Sequence, residues 1–263
     1  MGDKNVKKYH GVMLGIILGL LFSVVSVNAA KSKTKWVIQA QPVKIPILMY
    51  HSIETRLGNS LCVPENKFAE QMKYLHEQGY VTLTPAEVYH AFSKNKLPQD
   101  KKVVMLTFDD GYANNHTAAY PILKKYHLKA TIGIITSKID TPDMLTSAQL
   151  KKLKKSKLIS LVSHTVNHFE LNQLSAKAQL EELTASKQWL DENFHQKTRL
   201  VIYPVGRYSE QTPELAKQAG YDLGLTMHPG LATKDQGMYQ LHRQRVVPGM
   251  SELGFSELVK TAS

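Results

Sequence analysis

The sequence predicts an α/β protein built on a parallel sheet that is covered by helices. Short apolar runs recur along the chain, and amphipathic helical segments lie between them. About eight such runs alternate with helices over roughly 220 residues, which suits either a (β/α) barrel or a doubly wound sheet. No glycine-rich phosphate loop follows the first run, so the sequence favours the barrel.

The predicted strands are the apolar runs, taken in chain order: Ile45 to Tyr50, Tyr80 to Leu83, Val103 to Phe108, Ala130 to Ile135, Leu158 to Ser163, Leu200 to Tyr203, Tyr221 to Thr226 and Gln240 to Val247. Among the helices between them, one opens on Thr84-Pro85-Ala86-Glu87, which has capping-box spacing and a proline at the first helical position. The longest helix has Ser175 as its predicted cap. Its apolar stripe contains Leu180, Leu183, Leu190 and Phe194.

The composition excludes several classes of protein. With 43% hydrophobic and 21% charged residues, the chain can bury a full core and is not predicted to be disordered. Lysine and arginine number 33 against 22 acidic residues, a net charge of +11 that favours polyanions or acidic polymers without naming a partner. Cys62 is the only cysteine, which excludes a disulfide framework and a cysteine-based zinc site. A metal would therefore need His, Asp or Glu ligands.

The first thirty residues have the pattern of an export signal. Three lysines precede an uncharged stretch from Gly11 to Val27, and small residues follow it as far as Ala30. The stretch is at the low edge of the roughly 17–25 residues that span a bilayer, so an uncleaved N-terminal anchor is the alternative. We therefore expect a signal or anchor over residues 1–30, a tether over 31–43 and one folded domain over 44–263. The domain is expected outside the cell, secreted or anchored to the outer face of the membrane, with membrane contact through this segment alone.

The first chemical motif is Thr107-Phe108-Asp109-Asp110-Gly111, at the end of a predicted strand. Adjacent strand residues point to opposite sides, so two carboxylates share one site only where the strand turns. Gly111 permits such a turn. By itself the motif is equally consistent with an ordinary Asp-Asp-Gly turn.

The second motif, Ser163-His164-Thr165-Val166-Asn167-His168, also ends a predicted strand. If this loop coils helically, the two histidines at i, i+4 share a face and can grip zinc, although such a pair is often incidental. In parallel-sheet folds the catalytic groups gather at the carboxyl ends of the strands, where both motifs lie. One carboxylate and two imidazoles make a three-ligand site with a position open for water, and the second carboxylate is left as a general base.

Together the two motifs resemble those of the NodB-homology polysaccharide deacetylases, carbohydrate esterase family 4, and their order and spacing agree over roughly Ile45 to Val259. The resemblance implies a distorted (β/α) barrel. It also implies that Asp109 is the catalytic base and that Asp110, His164 and His168 are the metal ligands. The opening segment from Ile45 to Ile53 resembles the branch that contains the poly-N-acetylglucosamine deacetylases of biofilm polysaccharide.

The family's third motif is matched only in part, by Tyr203-Pro204-Val205-Gly206. We expect Tyr203, Pro204 and Val205 to form the substrate-facing oxyanion segment, with the backbone N–H of Val205 as a donor, because that role needs no particular side chain. The family's arginine, which would pair with the base, is replaced here by Ile202, a predicted core residue. Arg243 is the candidate replacement.

Two histidines are candidates for the general acid that protonates the departing amine. Many family members carry Leu-x-His, whereas this chain has Leu241-His242-Arg243, with the histidine one residue early. A shift of one residue on a strand turns the side chain to the other face. His51, at the carboxyl end of the first predicted strand, is the other candidate.

The resemblance implies a hydrolase that removes N-acetyl groups from a polysaccharide containing N-acetylglucosamine and releases acetate. The cofactor is a divalent metal, with zinc favoured by the ligands, although iron, cobalt or nickel accept the same set. Two alternatives stay open: an O-acetyl esterase acting on xylan or a wall sugar, and a non-catalytic envelope protein that binds glycans. We expect a monomer that does not bind nucleic acid.

Overall fold

The computed structural model describes residues 1–2 and 34–261, and in this part of the chain the dominant feature is a closed barrel of seven parallel strands. We number the barrel strands β1 (Ile47–Tyr50), β2 (Val103–Phe108), β3 (Ala130–Ile134), β4 (Ile159–Ser163), β5 (Leu200–Ile202), β6 (Leu223–Pro229) and β7 (Leu241–Arg245). The ring closes at β1, which pairs with β2 on one side and with β7 on the other. The predicted (β/α) barrel is therefore confirmed.

The tally of strands differs from the expected eight. The run from Tyr80 to Leu83 yields only the two-residue strand Val81–Thr82, which pairs with the first two residues of β2. The next barrel strand, β3, joins β2 further along, at Thr107. Because Val81–Thr82 is so short, it reaches only the amino end of β2 and lies outside the closed ring.

Alternate residues of the barrel strands face two different cores. Inward residues such as Ile47, Met105 and Leu225 fill the barrel, whereas outward residues such as Leu106 and Ile132 pack beneath the helices. Since both faces are buried, the strands are continuous apolar runs rather than alternating ones. This explains why the sequence located them well.

Between residues 34 and 261, seven α-helices accompany the strands: α1 (Glu65–Glu77), α2 (Pro85–Lys94), α3 (Tyr120–Lys125), α4 (Ser147–Lys155), α5 (Ala176–Phe194), α6 (Thr212–Gln218) and α7 (Glu252–Val259). Ser175 caps α5 as predicted, accepting a hydrogen bond from the backbone N–H of Ala178. The buried face of α5 also contains three polar residues that the apolar stripe does not predict, Gln179, Glu182 and Ser186.

Helix α2 closes the amino end of the barrel. Its residues Val88, Ala91 and Phe92 belong to the same apolar cluster as Val103 and Leu200, which are the first residues of β2 and β5. The barrel is therefore filled and covered at this end. The opposite end, where the strands finish, is the end that carries the predicted site.

The expected tether is partly wrong. Residues 3–33 and 262–263 lie outside the described part of the chain, and with them most of the signal or anchor segment and the first residues of the tether. Trp36–Ile38, by contrast, is a strand paired with Lys96–Pro98, and Val43 is buried, because apolar side chains in this stretch find partners on the domain. The remaining short strand pairs are Lys44–Ile45 with Ala232–Thr233 and Ser52–Ile53 with Cys62–Val63.

Among the residues that the structure describes, no helix combines the length and the apolar character needed to cross a bilayer.

The cap of α2 provides a test of the fold. The backbone N–H of Glu87 donates to Thr84 Oγ1 at 3.3 Å, and the Thr84 N–H donates to Glu87 Oε2 at 2.7 Å. Replacing Thr84 by alanine should lower the free energy of unfolding by about 1 kcal/mol, since a capping acceptor is lost. Ser93→Ala, on the exposed end of the same helix, should stay within about 0.5 kcal/mol of the parent in urea denaturation. Equal effects of the two variants would contradict this account of the cap.

Candidate active site

The site lies at the carboxyl ends of the barrel strands. Asp109 and Asp110 follow β2 directly, and His164 follows β4. His51 follows β1, and Arg243 lies within β7. Residues that are far apart along the chain thus meet at one edge of the barrel, as the positions of the two motifs predict.

Asp109 is held by a buried arginine. The guanidinium of Arg243 donates from Nη1 to Oδ1 at 2.7 Å and from Nη2 to Oδ2 at 2.8 Å, and the two residues are only 1% and 2% exposed. Arg243 also donates to Thr107 Oγ1 and to the carbonyl of Thr226. Burial pushes the pKa of Asp109 upward, but the Arg243 charge outweighs it and holds that pKa below its ordinary value. The carboxylate is therefore ionised at neutral pH.

The turn after β2 brings the second carboxylate to the site. On a continued strand Asp110 would point away from Asp109, but its backbone is left-handed, with φ 74°, and Gly111 follows with φ 81°. Aspartate tolerates this region better than most residues, and glycine adopts it freely. The predicted turn therefore begins one residue before the glycine, at Asp110 itself.

Asp110, His164 and His168 converge. The Oδ1 atom of Asp110 lies 3.3 Å from His164 Nε2 and 3.4 Å from His168 Nε2, and the ligand atoms of the three residues all lie within 4.8 Å of one another. The Nδ1 atom of His164 is 2.8 Å from the carbonyl oxygen of Ile202, which suits an Nδ1–H donor and leaves Nε2 free for a cation. Two imidazoles and a carboxylate in this arrangement fit a zinc-type divalent metal.

The loop that carries the histidines is not the helical coil considered in the sequence analysis. Thr165 and His168 have φ of 65° and 62°, and the backbone N–H of His168 donates to Thr165 Oγ1 at 3.1 Å. The histidine rings meet edge to face, with their centroids 4.7 Å apart. Two left-handed residues, rather than a helical turn, bring the pair together.

The structure separates the two candidates for the general acid. His51 Nε2 lies 3.8 Å from Asp109 Oδ2, and the His51 ring is largely buried. Burial lowers the pKa of His51, so its protonated form is a stronger acid than a free imidazolium. Its backbone carbonyl accepts a hydrogen bond from Asn115 Nδ2 at 2.9 Å, which fixes the end of β1.

His242 is not brought to this cluster. Its neighbour Arg243 points inward to Asp109, so His242 points to the other face of β7, as strand alternation requires. Its ring lies 5.4 Å from that of His228 and beside Gly230.

The residues of the third motif also face different sides of the barrel wall. Ile202 is a core residue inside the barrel, as predicted, and the next residue, Tyr203, is fully buried on the outer side. The Tyr203 ring packs against Tyr208, so the expectation that Tyr203 faces substrate is wrong. Pro204 is also buried, whereas Val205 is 47% exposed and has φ 54°, a strained conformation for a β-branched residue. Only Val205, of the three, is open to a substrate.

Sequence reasoning missed two partners of the site. The carbonyl of Ile202 orients His164, and Thr107 supports Arg243. A backbone carbonyl leaves no signal in the sequence. Thr107 belongs to the first motif, but the motif does not indicate which residue its side chain contacts.

Comparison with known proteins agrees with this geometry. The polysaccharide deacetylase family model matches residues 96–224. A Bacillus subtilis (strain 168) protein that carries the name polysaccharide deacetylase YxkH is 47% identical over 226 residues, covering 86% of this chain and 80% of that protein. Poly-beta-1,6-N-acetyl-D-glucosamine N-deacetylase of Staphylococcus aureus is 28% identical over 211 residues, covering 75% of this chain and 71% of that protein. The structure of the Streptococcus pyogenes deacetylase PplD in complex with acetate aligns with a TM-score of 0.80 and 39% identity, covering 84% of this chain and 100% of that one.

The chain belongs to the polysaccharide deacetylase family, and it is an enzyme of that class. The resemblance of the two motifs to this family is confirmed.

The Arg243–Asp109 pair can be tested by stability. Arg243→Met should lower the free energy of unfolding by about 3–5 kcal/mol, because it leaves a buried carboxylate without its counter-charge. The double variant Asp109→Asn with Arg243→Met should recover part of this loss, since the uncompensated charge is gone. Arg245→Met, two residues further along β7, is the matched control, because within the described residues the Arg245 side chain donates a hydrogen bond to the exposed Ser60 hydroxyl and forms no ion pair. If denaturation shows the same loss for both single variants, the pair does not stabilise the site as described.

Proposed function

We propose that this enzyme is a metal-dependent hydrolase that removes N-acetyl groups from N-acetylglucosamine units of an extracellular polysaccharide and releases acetate. The observation that carries the proposal is the cluster of Asp110, His164 and His168 beside an ionised Asp109. The Staphylococcus aureus relative, named for action on poly-beta-1,6-N-acetyl-D-glucosamine, supports the choice of substrate class.

The metal would be held by Asp110 Oδ1 and by the Nε2 atoms of His164 and His168. When bound, a divalent cation at such a site supplies Lewis-acid chemistry, polarising an acyl oxygen and making water more acidic. Zinc suits two imidazoles and one carboxylate, and iron, cobalt or nickel accept the same ligands.

The residues of this chain divide the proton transfers between them. Asp109, kept ionised by Arg243, accepts a proton from the attacking water. The backbone N–H of Val205, in the exposed segment after β5, donates to the oxygen that becomes negative. His51, beside Asp109, then donates a proton to the departing amine. Acetate leaves, and the glycan gains a free amine.

An exported location completes the proposal. The pattern of residues 1–30 favours export, and a polysaccharide substrate outside the cell is consistent with it. Each acetyl group removed exposes an amine, so the product is more cationic than the substrate.

Acetate release is the direct test of this function. The purified domain should release acetate from poly-N-acetylglucosamine, and a chelator should abolish the release. Asp109→Asn should also abolish turnover while zinc stays bound, since Asp109 is the base and not a ligand. Peptidoglycan and O-acetylated xylan belong in the same panel. Release from the O-acetyl substrate alone would replace the proposal with an esterase, and glycan binding without any release would point to a non-catalytic role.

The assignment of the acid gives a second test. His51→Ala should reduce kcat by about 10²–10⁴-fold, the usual contribution of a positioned acid or base. His242→Ala is the matched control and should leave kcat nearly unchanged, because its ring faces His228 on the other side of the strand. A large loss in His242→Ala with a small one in His51→Ala would reverse the assignment.

A further inference from the structure

A buried glutamate on α5 contacts the loop that carries the two histidines. Glu182 is only 8% exposed. Its Oε2 accepts hydrogen bonds from the backbone N–H groups of Val166 and Asn167, both at 2.9 Å, and its Oε1 accepts one from Asn167 Nδ2 at 2.6 Å. Val166 and Asn167 are two of the three residues between His164 and His168. The carboxylate therefore fixes the middle of the ligand-bearing loop.

A serine one turn further along α5 extends this contact. Ser186 Oγ is 2.7 Å from Ser163 Oγ, and Ser163 Oγ in turn accepts a hydrogen bond from the backbone N–H of Thr165 at 3.1 Å. With the His168 N–H donating to Thr165 Oγ1, each backbone N–H from residue 165 to residue 168 is held by a side-chain oxygen. This segment has left the sheet and is not a helix, so its N–H groups need such partners.

Burying the Glu182 carboxylate is energetically unfavourable, and the packing of α5 does not require it. A buried carboxylate is unfavourable unless it is paired or fully hydrogen-bonded. Across residues 34–261, no lysine or arginine forms an ion pair with Glu182, so the amide donors of the loop are what stabilise it. An apolar residue would complete the stripe of α5 without that cost. The carboxylate is instead matched to the conformation of the loop.

That conformation requires support. Thr165 and His168 both lie in the left-handed region, and the β-branched Thr165 is strained there. Strained residues persist only where their surroundings fix them. Without the Glu182 contacts, the loop is expected to relax and to move His168 Nε2 away from its place 3.4 Å from Asp110 Oδ1.

We propose that Glu182 is a positioning residue for the metal site: through its three hydrogen bonds to Val166 and Asn167 it holds His168 in the ligating position. This inference rests on the proposed metal-dependent function. It does not place Glu182 among the groups that touch substrate or metal. Partners that orient metal ligands typically affect metal affinity or activity by about 10–100-fold.

The experiment compares zinc affinity in Glu182→Gln and Glu181→Gln. The second variant makes the same change on the neighbouring residue of α5, whose side chain is 66% exposed. Glutamine at 182 keeps the shape but removes the charge, and with its oxygen on the two backbone N–H groups it turns an amide donor toward Asn167, which accepts it only by flipping its own side-chain amide. Competition with a chromophoric chelator should show zinc binding weakened by about 10–100-fold in Glu182→Gln and unchanged in Glu181→Gln. At saturating zinc, acetate release by Glu182→Gln should recover, because the catalytic groups are intact.

A reciprocal exchange distinguishes positioning from a general loss of structure. In the double variant Glu182→Gln with Asn167→Asp, the new amide donates to the new carboxylate, so the contact is restored with donor and acceptor exchanged. This variant should regain most of the lost zinc affinity. If Glu182→Gln also loses its cooperative thermal unfolding, the double variant decides: recovery of zinc affinity supports the proposal, and no recovery overturns it.

The remaining outcomes separate this inference from the proposed function. If the parent protein binds no zinc, cobalt, nickel or iron, the metal-dependent function fails and the inference fails with it. If the parent binds zinc and Glu182→Gln binds it equally well, the positioning role is wrong while the proposed function stands.

Discussion

The buried pair of Arg243 and Asp109 is the interaction on which the organisation of the site depends. It joins β2 to β7 across the end of the barrel, with Thr226 of β6 accepting a further hydrogen bond from the same guanidinium. Two charges removed from water are stable only when their geometry and remaining hydrogen bonds are satisfied, and here they are. The same contact keeps a carboxylate ionised inside an apolar barrel. In this chain a residue from the last strand thus supplies what the third motif lacks.

The strands and the convergence of the two motifs could be predicted from sequence for clear physical reasons. Barrel strands buried on both faces are continuous apolar runs, which can be recognised directly in the amino-acid sequence. Parallel strands end at one edge, so polar residues after two such runs had to lie near each other. Strand alternation predicts that His242 faces away from the site, and it also accounts for Arg243 facing inward. The substitution of Ile202 for a family arginine was likewise consistent with a core position.

Other features depend on backbone conformation or on distant contacts, and the sequence did not reveal them. The side that Tyr203 takes follows from the register of β5 and not from its motif. The left-handed backbone at Asp110 extends the turn expected at Gly111, and the left-handed backbone at His168 takes the place of the helical coil that was considered for this loop. Trp36 belongs to a strand because its partner lies at Lys96–Pro98, far along the chain. The sequence does not distinguish Glu182 from the other charged residues of α5, because its contacts are with a loop that precedes the helix.

The cover that α2 forms over the amino end of the barrel has a consequence for how a long glycan can be handled. The barrel interior is filled with side chains and closed at its amino end, so no polymer can pass through it. In the proposed function, a chain of sugars instead lies across the open rim and presents one acetamido group to Asp109. An enzyme built in this way has no geometric need for a free chain terminus. Under the proposed function it can therefore engage a polymer at interior units and leave modified and unmodified sugars interspersed along it.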